Sequence, residues 1–129
     1  MEKQKFNPEK YLKAQMNHYE NALKEIRNGR KESHWIWYIF PQITGLGKSS
    51  MSEFYAIQDL DQAKAYLQNA ILKKRLIEIS EALLEQNDTI HNIMGSPDDF
   101  KVCSCMTLFY KADSGIPIFQ KVIRPVRKP

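Results

Sequence analysis

The stretch SHWIWYIFP, residues 33–41, constrains the fold more than any other part of the chain. Residues 35–40 are all apolar and four of them are aromatic, so most of this stretch must be buried. Aromatic and β-branched residues favour a strand, but a short helix that ends at Pro41 fits the pattern equally well. The rest of the chain offers no second convincing strand for pairing. We therefore predict a short helix, with Ser33 as its N-cap.

The first long segment has the clearest helical pattern. Asn7 is a suitable N-cap, and Pro8 occupies the first helical position. Apolar residues then recur at intervals of three and four until Asn28 and Gly29 end the pattern. These residues are Leu12, Met16, Tyr19, Leu23 and Ile26. We predict a single helix over this segment, with the five side chains in the core.

Helix starts recur along the middle of the chain. Ser50 and Glu53 have the spacing of a capping box, in which two side chains satisfy free backbone N–H groups. Asp59 or Asp61 can begin the next helix, and Asn69 can cap a longer one. The longer helix has an apolar stripe at helical spacing, formed by Leu72, Leu76, Ile79 and Leu83.

The last part of the chain continues the helical pattern. A short helical turn precedes Ser-Pro-Asp-Asp at residues 96–99, which is a strong helix start, and a final helix covers residues 116–123. We predict an all-α fold, a compact array of about six or seven short and medium helices. Residues 1–129 form a single domain in this prediction, with 124–129 as a basic C-terminal tail.

Composition narrows the classes of protein. Hydrophobic residues make up 43% and charged residues 26% of the chain, which is typical of a soluble globular domain. No stretch approaches the roughly 20 apolar residues of a membrane helix, and no signal sequence is recognisable, so we expect a cytoplasmic protein. Cys103 and Cys105 lack further metal-binding residues at ligand spacing. We expect two reduced thiols and no metal site.

The net charge of +4 comes from one end of the chain. Lys121, Arg124, Arg127 and Lys128 carry it, and the remaining residues comprise 15 basic and 15 acidic side chains. A short basic tail can contact phosphates but provides no element that reads a nucleic-acid groove. The distribution therefore argues against nucleic acid as the main partner.

The sequence Gly47-Lys48-Ser49 suggests a phosphate-binding loop. That motif also requires a glycine five residues before Gly47, where this chain has Gln42. The surroundings also lack a βαβ pattern, so the sequence argues strongly against a P-loop NTPase. Gly45 and Gly47 instead allow either a tight turn under the aromatic residues or the close approach of a ligand to the backbone.

Two further groups allow both a chemical and a structural interpretation. His34 can be a general base or an anion contact, or a half-buried histidine bonded to a carbonyl group. Asp98 and Asp99 can be a carboxylate pair for acid–base chemistry. Acids in a first helical turn also stabilise the helix dipole, and this accounts for both residues.

Three segments together resemble a bacterial protein family, the domain of unknown function 1810, some of whose members carry the label calpastatin. The segments are GRKESHWIWYIFPQITGLGKSS, YAIQDLDQAKAYL and GSPDDFKVCSCMTLF. The resemblance covers roughly residues 6–123 and implies an all-helical single domain without an established function. Lys48 falls at a variable position of the family, and RPVRKP replaces its usual C-terminal continuation.

The segment SEFYAIQ has a shorter resemblance to the YbiA-like N-glycosidases, which act on compounds of the ADP-ribose type. Glu53 is the acid–base residue that such an activity implies. Helix capping explains Ser50 and Glu53 without any enzymatic role.

The leading hypothesis is a polar and aromatic pocket that binds a small anionic, nucleotide-like ligand. Its predicted ligand-binding residues are Arg30, Lys31, His34, Trp35, Trp37, Gln42, Gly45, Gly47 and Ser49. His34 and Glu53 are the candidates for catalysis, and no cofactor is expected. The alternatives are the N-glycosidase and a non-catalytic interaction or dimerisation module, and we expect a monomer or a homodimer.

Overall fold

The computed structural model describes residues 5–123, and every regular element among them is a helix. The helices are α1 (Pro8–Met16), α2 (Tyr19–Arg27), α3 (Ile36–Ile39), α4 (Ser50–Phe54), α5 (Leu60–Gln68), α6 (Ala70–Glu85), α7 (Ile90–Met94), α8 (Asp98–Ala112) and α9 (Pro117–Ile123). The predicted all-α class is confirmed. The described part of the chain has nine helices rather than six or seven, mainly because the first predicted helix divides in two.

The prediction of one continuous N-terminal helix is wrong. Helix α1 ends at Met16 with Asn17 as its C-cap, and α2 begins after His18. The break rotates α1 so that Gln15 is buried and Met16 is 68% exposed. Gln15 is satisfied there, because its Nε2 donates to the carbonyl group of Tyr38 at 2.7 Å and to the hydroxyl of Tyr66 at 3.2 Å.

The aromatic stretch forms helix α3 and lies in the core, as predicted. Trp35, Phe40 and most of the residues between them are buried, and Trp37 is half-buried. The predicted cap is wrong, because Trp35 occupies the N-cap position and Ser33 bonds elsewhere. Most of these side chains are therefore packed inside the domain, and Trp37 is the one that reaches its surface in residues 35–40.

The segments on either side of α4 meet through a short backbone contact. An isolated parallel bridge pairs Ile43 with Ile57, through bonds of 2.8 Å from Thr44 N to Ile57 O and from Ile57 N to Gln42 O. The predicted capping box of Ser50 and Glu53 is wrong, because the cap lies one residue earlier. Ser49 is the N-cap, and its side chain accepts from Ser52 N at 3.1 Å.

Helices α5 and α6 begin where the sequence indicates. Asp59 caps α5 by accepting from Gln62 N at 2.9 Å. Asn69 caps α6 through Oδ1, which accepts from the backbone N–H groups of Ile71 and Leu72 at 3.1 and 3.0 Å. The predicted α6 stripe of Leu72, Leu76, Ile79 and Leu83 is buried.

Helices α6 and α8 carry most of the packing in the described residues. Helix α6 contacts α1, α2, α5 and α9, and α8 contacts α5, α7 and α9. Helix α8 begins at Asp98 with two acids in its first turn, as predicted. Cys105 is fully buried, Cys103 is half-buried, and both are free thiols.

The predictions of no membrane span and of a basic C-terminal tail concern features outside the helix packing. No helix within residues 5–123 is long and apolar enough to cross a membrane. The predicted basic tail, residues 124–129, lies outside the described residues.

Helix α2 ends in a tight C-terminal motif. The N–H group of Arg30 donates to the carbonyl of Glu25 at 3.0 Å, and that of Gly29 donates to the carbonyl of Ile26 at 2.9 Å. Gly29 has a φ of +84°, a conformation that glycine adopts without the steric cost of a side chain. The motif turns the chain back along α2, so that residues 30–35 pass beside Glu25.

The carboxylate of Glu25 holds this returning segment. Its Oε1 accepts from Glu32 N at 2.7 Å, Ser33 N at 2.9 Å and Trp35 Nε1 at 3.0 Å. Its Oε2 accepts from Ser33 Oγ at 2.6 Å and Asn21 Nδ2 at 2.7 Å. One buried carboxylate therefore fixes the backbone of the segment and the indole that enters the core.

These donors decide the protonation state of Glu25. Burial by itself acts to raise the pKa of the carboxyl, but hydrogen bonds from Ser33, Glu32 and Trp35 outweigh it and lower the pKa to about 2. Because the folded-state pKa lies below the ordinary value, ionised Glu25 stabilises the fold at neutral pH. That contribution is lost as the pH falls from about 4.5 towards 2.

Replacing Asn69 with alanine tests the α6 cap. Asn69→Ala leaves two N–H groups in the first turn without their acceptor, so we expect a loss of about 1 kcal/mol in the free energy of unfolding. Urea denaturation measures it. Asn87→Ala, at an exposed position between α6 and α7, is the control. Equal losses in the two variants would contradict the capping role.

Replacing Glu25 with glutamine tests the carboxylate. Glu25→Gln keeps the shape of the side chain but replaces one acceptor oxygen by an amide NH2 group, which is itself a donor and faces other donors. We therefore expect a loss of about 2 to 3 kcal/mol in the free energy of unfolding at pH 7. The difference from wild type should shrink as the pH falls from 4.5 towards 2. Denaturant unfolding at several pH values measures both effects. Glu32→Gln, an exposed side chain of the same segment, should show neither, and a pH-independent difference would refute the account.

Candidate functional site

The segment held by Glu25 carries Lys31 to the junction of α7 and α8. The N–H group of Lys31 donates to the carbonyl of Ile93 at 2.7 Å, which fixes the backbone against α7. Its Nζ lies 2.9 Å from Asp98 Oδ2 and donates to the carbonyl of Ser33 at 2.6 Å. The side chain of Lys31 is therefore held in one position, with 8% of its surface exposed.

Five residues at this junction form what we call the lysine–tryptophan shelf: Lys31, Trp35, Trp37, Asp98 and Lys101. The Nζ of Lys31 lies 5.0 Å from the ring centroid of Trp35, and that of Lys101 lies 5.9 Å from the ring centroid of Trp37. Both distances are within the range of cation–π attraction. Lys101 Nζ also lies 3.4 Å from Asp98 Oδ1.

The lysine–tryptophan shelf has more positively than negatively charged groups. The two ammonium groups share a single carboxylate, so its ionised side chains carry a net positive charge. The side chains of Asp98 and Lys101 are 18% and 24% exposed. Charges that are partly removed from water are screened less than surface charges, so the excess acts strongly on an approaching anion.

The two tryptophans have different environments. Trp35 is 1% exposed, donates its indole N–H to Glu25 and packs against Phe40 with ring centroids 6.3 Å apart. Trp37 is half-buried, so part of the residue is accessible to solvent. Of the two tryptophans, Trp37 is therefore the one accessible to a ligand, and Trp35 contacts Lys31 from within the core.

A second acid–base pair borders the shelf. His91 Nδ1 lies 3.0 Å from Asp99 Oδ2, and the histidine side chain is 64% exposed. Burial, and secondarily the charge of Asp99, raise the pKa of Cys103, and burial raises that of Cys105. Both cysteines are therefore protonated thiols at neutral pH, which disfavours a nucleophilic role.

The remaining predicted residues of the 30–35 segment face solvent. Arg30 and His34 are both exposed. The backbone carbonyl of His34 accepts from Tyr38 Oη at 3.4 Å. Arg30 and His34 thus lie near Lys31 along the chain, with side chains accessible to a ligand.

The predicted glycine loop is organised around α4 and Ile57. Gln42 bonds to Ile57 through its backbone, and Gly45 is exposed with a φ of +93°. A Cβ atom at Gly47 would lie 2.4 Å from Ser52 Cβ, so this position requires glycine for packing. With Ser49 acting as the α4 cap, the described contacts give these residues structural roles and do not connect them to the shelf.

Glu53 is exposed on α4. This exposure neither supports nor contradicts the N-glycosidase alternative, which stays a prediction. Within residues 5–123, no group of three or more potential ligands could hold a metal ion. Two surface grooves, of about 450 and 580 Å³, are lined by α2 with α6 and by α5, α6 and the end of α8, and neither lining contains a predicted site residue.

Sequence reasoning missed Glu25, and it favoured a helix-dipole role for Asp98 over a chemical one without relating Asp98 to Lys31. A signal for Glu25 was present, because it follows the buried Ala22 by three positions and so lies near the core-facing side of α2. A carboxylate in such a place requires hydrogen-bond donors. The contact between Lys31 and Asp98 is long-range, and helical periodicity carries no information about it.

Residues 5–127 match the model of a family described as "Protein of unknown function (DUF1810)". No curated protein matches the sequence.

A solved structure has the same fold. The crystal structure of the conserved hypothetical protein Rv1873 from Mycobacterium tuberculosis is 39% identical in sequence and superposes with a TM-score of 0.89. The match covers 92% of this chain and 85% of the mycobacterial chain. Since the family model spans nearly the whole sequence, the chain belongs to the DUF1810 family of proteins of unknown function.

Proposed function

We propose that this protein binds a small anionic, nucleotide-like ligand at the lysine–tryptophan shelf. One observation carries the proposal: the ammonium groups of Lys31 and Lys101 share the single carboxylate of Asp98. Each ammonium also lies over an indole ring. An excess of fixed positive charge next to an accessible aromatic surface is suited to an anion that carries a planar group.

Each part of the shelf has a defined role in this proposal. Lys31 and Lys101 attract the anionic group, and the open side of Trp37 stacks against the planar group. Trp35 keeps Lys31 in place through its ring and through its bond to Glu25. Because the lysines are ordered before the ligand arrives, little side-chain entropy is lost on binding.

Arg30 and His34 extend the proposed site. Both are exposed. Arg30 directly precedes Lys31 and His34 follows it by three residues, so their side chains can add contacts to the ligand. The loop residues Gln42, Gly45, Gly47 and Ser49 remain predicted members of the site. Their backbone roles around α4 are compatible with forming a wall beside it.

The role of Lys101 is tested by its replacement with methionine, which keeps an unbranched side chain only one atom shorter and removes the charge. Isothermal titration with adenosine 5′-monophosphate should show about tenfold weaker binding by Lys101→Met than by wild type, because one charge-assisted contact is lost. Lys111→Met changes an exposed lysine in the last turn of the same helix and should bind as wild type does. Equal affinities of Lys101→Met and wild type would contradict the proposal.

A thermal-shift screen tests the whole site. Nucleotides and phosphorylated metabolites should raise the melting temperature of the wild type, and Arg30→Ala and His34→Ala should reduce the shift. Both replaced side chains are exposed, so the unliganded variants should melt close to wild type. If no compound in the screen shifts the wild type, the proposed function is wrong.

A further inference from the structure

We propose that Asp98 is an internal competitor that occupies the place of the ligand's anionic group, and that the ligand is therefore a phosphate monoester. The inference rests on the proposed function, since it concerns the same shelf. It adds the chemical class of the ligand and a reason why weaker anions are rejected.

The geometry of Asp98 carries the first step. Its two carboxylate oxygens are divided between the lysines, with Oδ2 at 2.9 Å from Lys31 Nζ and Oδ1 at 3.4 Å from Lys101 Nζ. The carboxylate thus bridges the two cations as a bound anion would. A phosphate group also presents separate oxygens to neighbouring cations, so it can replace the carboxylate oxygen for oxygen.

Electrostatics decide that the ligand replaces Asp98 instead of joining it. A second anion beside the carboxylate would meet like-charge repulsion in a site where the side chains are only 8% to 24% exposed. Asp98 is the first residue of α8, with 18% of its side chain accessible, so its carboxylate has a route to solvent while the helix stays in place. Lys31 retains its bond to the carbonyl of Ser33 when the carboxylate leaves.

The same competition selects the class of ligand. Asp98 is tethered to the site, so its effective concentration there is high, on the order of millimolar or more. A monoanion such as a carboxylate offers the lysines no more charge than Asp98 already does. A phosphate monoester carries a charge of about −1.5 to −2 at pH 7 and so has the advantage that displacement requires.

The adjacent acid provides a matched control. Asp99 occupies the next position of the same helical turn, and its Oδ2 pairs with His91. Asp98→Asn and Asp99→Asn therefore remove the same charge from neighbouring positions, but only the first removes the carboxylate between the lysines. A general gain in electrostatic attraction would affect both variants, whereas release of a competitor would affect only Asp98→Asn.

The experiment measures the affinity of wild type, Asp98→Asn and Asp99→Asn for adenosine 5′-monophosphate by isothermal titration at pH 7.5. We expect Asp98→Asn to bind about tenfold more tightly than wild type, because no fraction of the sites is occupied by the internal carboxylate. Asp99→Asn should stay within about threefold of wild type. Circular dichroism and melting temperature confirm that each variant is folded.

Two small ligands test the chemical class. Phenyl phosphate and benzoate share a ring but differ in charge, and inorganic phosphate shows whether the anionic group suffices alone. Wild type should bind phenyl phosphate in clear preference to benzoate, and Asp98→Asn should narrow that preference by several-fold. If Asp98→Asn prefers phenyl phosphate over benzoate as strongly as wild type does, the proposal that Asp98 competes with the ligand is overturned.

The outcomes separate this inference from the proposed function. If wild type binds but Asp98→Asn binds equally or more weakly, the competitor role is overturned and the proposed function stands. Equal tightening in Asp98→Asn and Asp99→Asn also overturns it, since net charge then explains the gain. If neither wild type nor Asp98→Asn binds any of these compounds, both ideas fail. Binding by Asp98→Asn alone supports the competitor role and contradicts ligand binding by the unaltered protein.

Discussion

The buried carboxylate of Glu25 is the interaction on which the rest of the candidate site depends. It accepts five hydrogen bonds, and four of their donors come from the segment that leads into α3. Without those bonds, the indole N–H of Trp35 would be buried with no acceptor, and the part-buried backbone N–H groups of Glu32 and Ser33 would lose theirs. The ionised carboxylate thereby sets the path of the chain after α2. That path delivers Lys31 to Asp98 and Trp35 to the core.

Local rules predicted much of the fold and failed at identifiable places. The caps at Asp59 and Asn69 and the start of α8 are short-range features, and the structure confirms them. The break after Met16 was missed because the apolar spacing continues across Asn17 and His18, whose low helix propensity weighs little in such a pattern. The buried Gln15 bonds to α3 and α5, and those contacts favour the rotation that the spacing cannot reveal.

The candidate site was predictable only where its residues lie close together in the sequence. Lys31 and the two tryptophans stood out as unusual residues in one short stretch, and the structure places all three in the shelf. Asp98 and Lys101 belong to another helix, and only the tertiary fold brings them to Lys31. The glycine loop attracted attention through its resemblance to a phosphate-binding motif. Its geometry is explained by the close packing of Gly47 on Ser52 and by the cap at Ser49.

The indole N–H of Trp35 reports on the central claim directly, since it donates to Glu25 at 3.0 Å. Replacing Trp37 with phenylalanine leaves Trp35 as the only tryptophan, so a single indole proton appears in the NMR spectrum. In this background we expect a downfield, slowly exchanging indole signal at pH 7. Adding Glu25→Gln should move that signal upfield and accelerate its exchange with solvent. An identical shift and exchange rate in the two proteins would contradict the claim that the Glu25 carboxylate holds the site together.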